Sequence, residues 1–402
     1  MQLAIEPRFD FTQLPSAPAE GLYVHIPFCA HKCHYCDFYS ITRQSSDRME
    51  RFVDLILREA DQWTQSRAAD DLKPATVFFG GGTPSLLPIE SMRRLIEGLQ
   101  ARFDLSSVGE WTVEINPATA NADYLAMLRA NGVDRLSFGA QSFDRAELAT
   151  LERHHNPEDV PRSIELARAA GFIRLNLDLI FAIPGQTIES WAKSLSQTLS
   201  LGTTHLSCYA LTYEPNTPMA VKKRLGTIRA VEEDLELDML RYTRDTLRAR
   251  AMPPYEISNF TTPGQECRHN LNYWTGGNYL SLGPSAASHV AGWRWKNRPH
   301  LGEWERCVDA GRVPAMDLEQ LSPRQRAGEL AMLMLRLSRG LKFSAFAART
   351  GCDVRSLFAN KIEQLLSLHL IEERDNSIQL TESAIGVADS VAAEFLGPPE
   401  TA

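Results

Sequence analysis

Long apolar runs are missing from this 402-residue chain: none approaches the roughly 18 uncharged apolar residues that a bilayer span requires, so a transmembrane reading is excluded. The charged, apolar, small-residue order of a secretory leader is also absent from its start, and a cytoplasmic location is expected. Cysteine is scarce. Seven is an odd and sparse count, which argues against a disulfide framework. Positive charge is not in excess either: a formal net charge of −8 argues against a general nucleic-acid binder, which needs clustered Lys and Arg to neutralise phosphates. What remains, with 44% apolar and 23% charged residues, is an ordinary globular composition. The length suits one large domain of about 250 to 300 residues and a smaller one.

The few cysteines are unevenly placed. Cys208, Cys267, Cys307 and Cys352 are scattered and read as buried or free thiols, whereas Cys29, Cys33 and Cys36 fall within eight residues of one another. A four-iron cube held by three thiolates has one iron without a protein ligand, and such a vacancy marks reactivity. A Cys3His zinc site completed by His25, His31 or His34 is the alternative that spacing alone leaves open.

Residues 1–20 read as a loose lead-in. Short β-branched runs then alternate with helical spacing. Strands are expected at Leu22–Ile26, Thr76–Phe79, Trp111–Ile115, Arg135–Phe138, Leu175–Phe181 and Leu206–Leu211, and helices near 47–67, 88–102, 121–131, 158–170, 187–200 and 228–250. Six such units imply parallel strands with crossover helices, each strand buried on both faces. Ligand chemistry then belongs at the carboxyl ends of the strands. Cys29, Gly80, Glu114, Gln141, Asp178 and Ala210 all fall there. Residues 21–260 are thus read as the core, 261–323 as a Gly-, Trp- and Asn-rich linker region without clear periodicity, and 324–402 as a second, mostly helical domain. Its closing run, Ile371 to Leu380, predicts a hairpin with Asp375-Asn376 at the tip, giving a winged-helix outline. More acidic than basic side chains over 341–402 argue against DNA binding there.

Two carboxylates stand out on the expected strands. Glu114 in Val113-Glu-Ile-Asn-Pro117 and Asp178 in Leu175-Asn-Leu-Asp-Leu-Ile-Phe181 would be costly to bury without a partner, so they suit a ligand carrying an ammonium or a ribose. Pairing with an internal Arg135 or Arg174 is the competing explanation. Gly80-Gly-Gly-Thr-Pro84 ends a strand with glycines whose backbone could approach such a ligand closely.

The ordered set of three cysteines around Tyr35, Gly80-Gly-Gly-Thr-Pro84, Glu114-Ile-Asn-Pro117, Gly139-Ala-Gln-Ser-Phe143, Leu151-Glu-Arg-His154 and Asp178-Leu-Ile-Phe-Ala-Ile-Pro-Gly-Gln-Thr187 resembles the radical S-adenosylmethionine proteins, specifically the coproporphyrinogen III dehydrogenase-like family. The resemblance runs from about Gly21 to the C-terminus. It implies an α/β fold: a partial (β/α)6, TIM-like radical SAM barrel with a smaller C-terminal, mostly helical, winged-helix-like domain. It implies a [4Fe-4S] cluster on Cys29, Cys33 and Cys36, with S-adenosylmethionine contacted by Tyr23, Tyr35, Gly81, Gly82, Thr83, Glu114, Gln141, Arg153, Asp178, Ala210 and Ala287. At Ala182 the chain departs from the family's usual Gly, which should tighten that turn.

The family has two branches. Its dehydrogenases carry a fourth cysteine two residues after the third and a longer N-terminal extension; here that position is Phe38, and only about twenty residues precede the first strand. Arg268-His-Asn-Leu-Asn-Tyr-Trp274 instead resembles the haem-binding motif of the haem-chaperone branch, implying a haem site at His269, Asn270, Tyr273 and Trp274 with His269 as the iron ligand. Trp293-Arg-Trp-Lys-Asn-Arg298 interleaves cations and indoles, which suits haem propionates and equally a cation-π stack on the protein's own surface. The resemblance implies haem, haem-acceptor proteins and an electron or haem donor as partners. It leaves room for peripheral membrane association and a homodimer, and includes no nucleic acid. Its expected task is haem binding and delivery, with radical oxidation of coproporphyrinogen III as the alternative; no catalytic residue is assigned.

Overall fold

The computed structural model describes residues 19–65 and 73–397. Apart from Ala19 and Glu20, the lead-in lies outside the described residues, as do positions 66 and 67 at the end of the first expected helix.

Six parallel strands lie side by side in chain order: β1 (Gly21–Ile26), β4 (Thr76–Gly81), β5 (Glu110–Ile115), β6 (Arg135–Gln141), β7 (Arg174–Phe181) and β8 (His205–Ala210). Between β1 and β4, the short β2 (Phe28–Cys29) pairs in parallel with β3 (Ile41–Thr42). Each expected strand and helix of the core is present within a few residues of its sequence-derived bounds. The helices begin where the local chemistry allows: Ser45 caps Ser46–Thr64 through the Arg48 amide, and Thr187 with Ser190 forms a capping box ahead of Ile188–Ser200.

One face of each strand meets the helices and is apolar, as with Trp111, Val113 and Ile115 on β5 or Leu175, Leu177 and Leu179 on β7. The opposite face departs from the expected apolar run. Thr112 and Glu114, Arg135 and Ser137, Asn176 and Asp178, and His205 and Ser207 alternate with those core residues and carry polar groups inward. This interior is therefore a polar lumen rather than the layered aliphatic filling of a closed eight-stranded barrel.

The stretch read as a linker is the main surprise. β9 (Asn259–Thr261) closes one edge by pairing antiparallel with β8, and β10 (Tyr279–Leu282) returns to the other side of β1 and runs parallel to it. β11 (Ala287–Val290), β12 (Trp293–Asn297) and β13 (Ala315–Gln320) continue antiparallel, giving an open eleven-stranded sheet in the order β13-β12-β11-β10-β1-β4-β5-β6-β7-β8-β9. Buried Glu59 ties this extension to helix Ser46–Thr64, accepting from the Gly283 amide (2.8 Å), Asn297 Nδ2 (2.6 Å) and Trp304 Nε1 (2.9 Å).

The C-terminal part has its own apolar cluster, including Leu330, Met334, Phe346, Phe358, Leu365 and Phe395. A small sheet orders β14 (Leu341–Lys342), β16 (Ser377–Leu380) and β15 (Ile371–Arg374). The expected hairpin is there, turned by Asp375 and Asn376 with φ of 50° and 56°, the left-handed pair that a type I′ turn requires. Among the described residues no helix is long and apolar enough to cross a membrane.

Candidate functional site

The three cysteines sit on the loop that leaves β1 and β2, over the carboxyl ends of the parallel strands. All are free and partly exposed. Thr83 Oγ1 lies 3.7 Å from Cys29 Sγ and Arg153 Nη1 lies 3.7 Å from Cys33 Sγ, so donors from the loop after β4 and from the turn after helix Arg145–Thr150 reach the sulfurs. Burial pushes the Cys29 thiol up and the Cys36 thiol to about 11; each is protonated at neutral pH until a metal displaces the proton. None of the histidines that kept zinc open supplies a fourth ligand by a fixed contact. His25 is held by Tyr23 Oη (3.2 Å) and the Tyr39 carbonyl (2.8 Å), His34 by Lys222 (3.0 Å), and His31 stacks on His154.

Gly81 and Gly82 act as structural clasps. The Gly82 amide donates to Ile26 O (2.8 Å), the Thr83 amide to Phe28 O (2.7 Å), and the Gly81 amide to Glu114 Oε2 (3.2 Å). These donors are thus committed to the cysteine loop and Glu114, so direct ligand contact from this segment falls to carbonyls and the Thr83 side chain. Gly82 is obligatory on steric grounds: a Cβ there would stand 2.7 Å from the Phe28 carbonyl oxygen and the Pro27 carbonyl carbon.

Glu114 on β5 and Asp178 on β7 both turn inward, and the buried Arg135 on the strand between them is the cation whose charge reaches both. Arg174, one of the anticipated partners, bonds instead to Glu110 (2.6 Å) and Asp134 (3.0 Å), and Arg135 reaches Thr112 Oγ1 at 3.5 Å. Among the described residues neither carboxylate has an ion-pair partner. Asp178 is held by Asn176 Nδ2 (2.8 Å) and Ser137 Oγ (3.2 Å), which sequence reading overlooked although the period-2 polar alternation along β6 and β7 signals them. Burial, and then the charge of Asp178, pushes the Glu114 carboxyl up to about 8; burial likewise raises Asp178.

Arg153 enters from the turn after Leu151. Its Nη2 donates to Gly139 O (2.6 Å), while its buried Nε has no hydrogen-bond partner. Gln141 is buried at a bulge in β6 with φ 63°, which re-aims the strand end toward the same rim. Tyr35 packs against Leu151, Ile180, Ile183 and Leu211. Tyr23 and Ala210 lie on β1 and at the end of β8. Ala287 opens β11, two strands from β1 in the sheet order; because β10 runs parallel to β1 and β11 antiparallel to β10, it lies beside the carboxyl end of β10, where Ser281 Oγ donates to its carbonyl. Three clustered thiols, two inward carboxylates without an ion-pair contact and an unpaired guanidinium nitrogen fit an iron-sulfur cluster and a ligand bearing both an ammonium and a carboxylate. Such a cluster, when bound, supplies one-electron chemistry; the residues supply position and charge.

The second anticipated site is elsewhere. Helix Arg268–Trp274 carries His269, 1% exposed, to the opposite end of the strands, where a Cβ on Gly21 would come within 3.2 Å of its ring. Both ring nitrogens are engaged, Nδ1 with Thr76 Oγ1 and Nε2 with Tyr273 Oη, each at 2.8 Å. Burial lowers its pKa to about 4. Asn270 and Trp274 are half-buried, and Arg336 stands over the Trp274 ring at 5.0 Å. The Trp293 to Arg298 stretch is structural in this conformation: Trp295 stacks on Trp63, and Arg294 is paired with Glu319 and Glu329.

Comparison with known proteins agrees with this geometry. Residues 23–197 match the Radical SAM superfamily and residues 321–386 match the HemN C-terminal domain. Coproporphyrinogen III oxidase (HemN) from Escherichia coli, a radical SAM enzyme, superposes with a TM-score of 0.82 over 96% of this chain and 92% of its own at 23% identity, which supports the fold alone. At the level of class, the fold and the cysteine loop are those of a radical SAM protein, with the [4Fe-4S] cluster and S-adenosylmethionine that this domain implies. Among curated proteins, the heme chaperone HemW of Lactococcus lactis is 32% identical over 93% of this chain and 96% of its own, and that of Mycobacterium tuberculosis 33% over 96% of both. The chain belongs to the HemW heme-chaperone family.

Proposed function

We propose that this protein binds haem and delivers it to haem-requiring proteins, and that its cluster and S-adenosylmethionine site serves that task rather than porphyrinogen oxidation. The observation that carries the reading is the near full-length similarity to proteins named heme chaperone. Phe38 supports it. The residue where the dehydrogenases of this family have a fourth cysteine is here an aromatic ring 68% exposed, which offers no thiol to the site.

At the rim, Cys29, Cys33 and Cys36 hold the cluster. Arg153 turns its guanidinium to the carboxylate of S-adenosylmethionine, and Glu114 and Asp178 accept from its amino and ribose groups. At the far end, His269 is the haem ligand. To reach iron, its Nε2 must exchange the Tyr273 hydroxyl for the metal, so haem uptake requires helix Arg268–Trp274 to loosen.

The test is a Soret titration of the full chain with haem. His269→Ala is expected to weaken binding at least tenfold while the visible spectrum of the cluster stays intact; an unchanged titration contradicts the ligand assignment. In parallel, the reconstituted protein under anaerobic reducing conditions should form no protoporphyrinogen from coproporphyrinogen III. Measurable conversion would overturn the choice of haem delivery over oxidation.

A further inference from the structure

Outside the two sites above, a third group of donors is gathered on the outer flank of the cysteine loop. His31 lies between Cys29 and Cys33, and Glu152 and His154 lie on the turn that carries Arg153. One imidazole nitrogen from each histidine and one Glu152 oxygen lie within 4.8 Å of one another. The two rings stack at 4.1 Å between centroids and 19° between planes. His31 Nε2 is 3.7 Å from Glu152 Oε2 and is itself enclosed without a hydrogen-bond partner.

We propose that His31, Glu152 and His154 form a binding site for a zinc-like divalent cation. Two imidazoles and one carboxylate are the donor set of borderline metals, and three protein ligands leave a position for water. Bonds of about 2.0–2.1 Å place tetrahedral ligand atoms about 3.4 Å apart, so the donors need to close by little more than 1 Å. The side chains are free to do so, because His154 is exposed and Glu152 and His31 are half-exposed.

The backbone explains why these residues meet. Glu152 has φ 56°, a left-handed kink that sends Arg153 inward to Cys33 and leaves Glu152 and His154 outside, against His31. A cation there bridges the cysteine loop to the Arg153 turn. His34, 3.8 Å from the second Glu152 oxygen, is occupied by Lys222 at 3.0 Å and stands outside the donor set.

The experiment uses the full chain with its cluster already assembled, so that the cysteines are not available, and titrates cobalt(II) anaerobically as a spectroscopic stand-in for zinc. The expected result is one cobalt per chain beyond the cluster iron, with ligand-field bands and no thiolate charge-transfer band. Glu152→Gln and His154→Ala should each weaken it about ten- to a hundredfold and leave the cluster spectrum unchanged. The proposal is overturned if cobalt does not bind stoichiometrically, if both variants bind it as tightly as the parent, or if a thiolate band appears.

Discussion

Glu114 shows how a ligand site is stored as unfavourable charge. In the ligand-free chain its carboxyl sits near 8, so the folded state holds a proton that the unfolded state releases near the ordinary carboxylate range. Between those limits folding binds more protons than unfolding, and stability therefore falls as pH rises toward 8 and is level above it. Glu114→Gln keeps an acceptor for the Gly81 amide and removes the charge. The variant should unfold several degrees higher than the parent at pH 8, with the difference vanishing near pH 4, as thermal melts of the ligand-free chains would read. The same carboxylate must be ionised to meet an ammonium. Affinity for S-adenosylmethionine should climb by up to about tenfold per pH unit below about 7, where the ligand's amino group is still protonated, and decline again above about 8 as that group is neutralised; Glu114→Gln should abolish the rising limb in calorimetric titrations. A second residue bears on stability alone. Ala182 stands where the family usually has Gly, and its φ of 59° is left-handed, so the substitution strains the turn rather than merely tightening it. Ala182→Gly should gain about 1 kcal/mol in denaturant unfolding; no gain would mean that the turn relaxes in the unbound chain.

The strand-to-loop junctions, not the strands, decide whether the rim assembles. The amides of Gly82 and Thr83 grip Ile26 and Phe28, and thereby set where Cys29 begins its loop. Gly82→Ala drives a methyl into backbone that cannot move away, so the loop must shift. Iron content after reconstitution should drop well below one cluster per chain, while far-ultraviolet dichroism stays close to that of the parent. The strands that carry the rim were readable from period and turn signals, and the cysteine triad from spacing, because both are local patterns. The inward polar alternation was equally local, but it was obscured by expecting buried parallel strands to be apolar on both faces. Which groups would pair was not legible. Arg174 is as close to Asp178 in sequence as it is to any acid, yet it bonds Glu110, 64 positions earlier, because the register of β5 and β7 aligns them.

Over the whole molecule, the ends of the chain's core are joined by contacts no local pattern announces. β10 to β13 are four to six residues long, turn through left-handed non-glycine residues at Ser285 and Ala291, and find β1 from more than 250 positions away, so period and composition concealed them. Helix Arg268–Trp274 lies against the first residues of β1 and β4 and against helix Pro323–Leu335 of the C-terminal part. Leu330 reaches to where a Cβ on Gly276 would lie, Arg336 covers Trp274, and Arg349 bonds Glu20 at 2.9 Å. On the proposed haem role, the C-terminal part braces the helix that would have to loosen for His269 to meet iron. Two substitutions separate brace from ligand. Tyr273→Phe removes the hydroxyl that occupies His269 Nε2, and Arg336→Ala removes the cation over Trp274, worth about 0.5–2 kcal/mol. Neither touches the His269 imidazole's capacity to ligate. Stopped-flow mixing with haem should show faster uptake in both, several-fold for Arg336→Ala, with the same final Soret position as the parent. Slower uptake or a shifted Soret band in Tyr273→Phe would place the tyrosine itself in the haem site and remove the closed helix as the barrier.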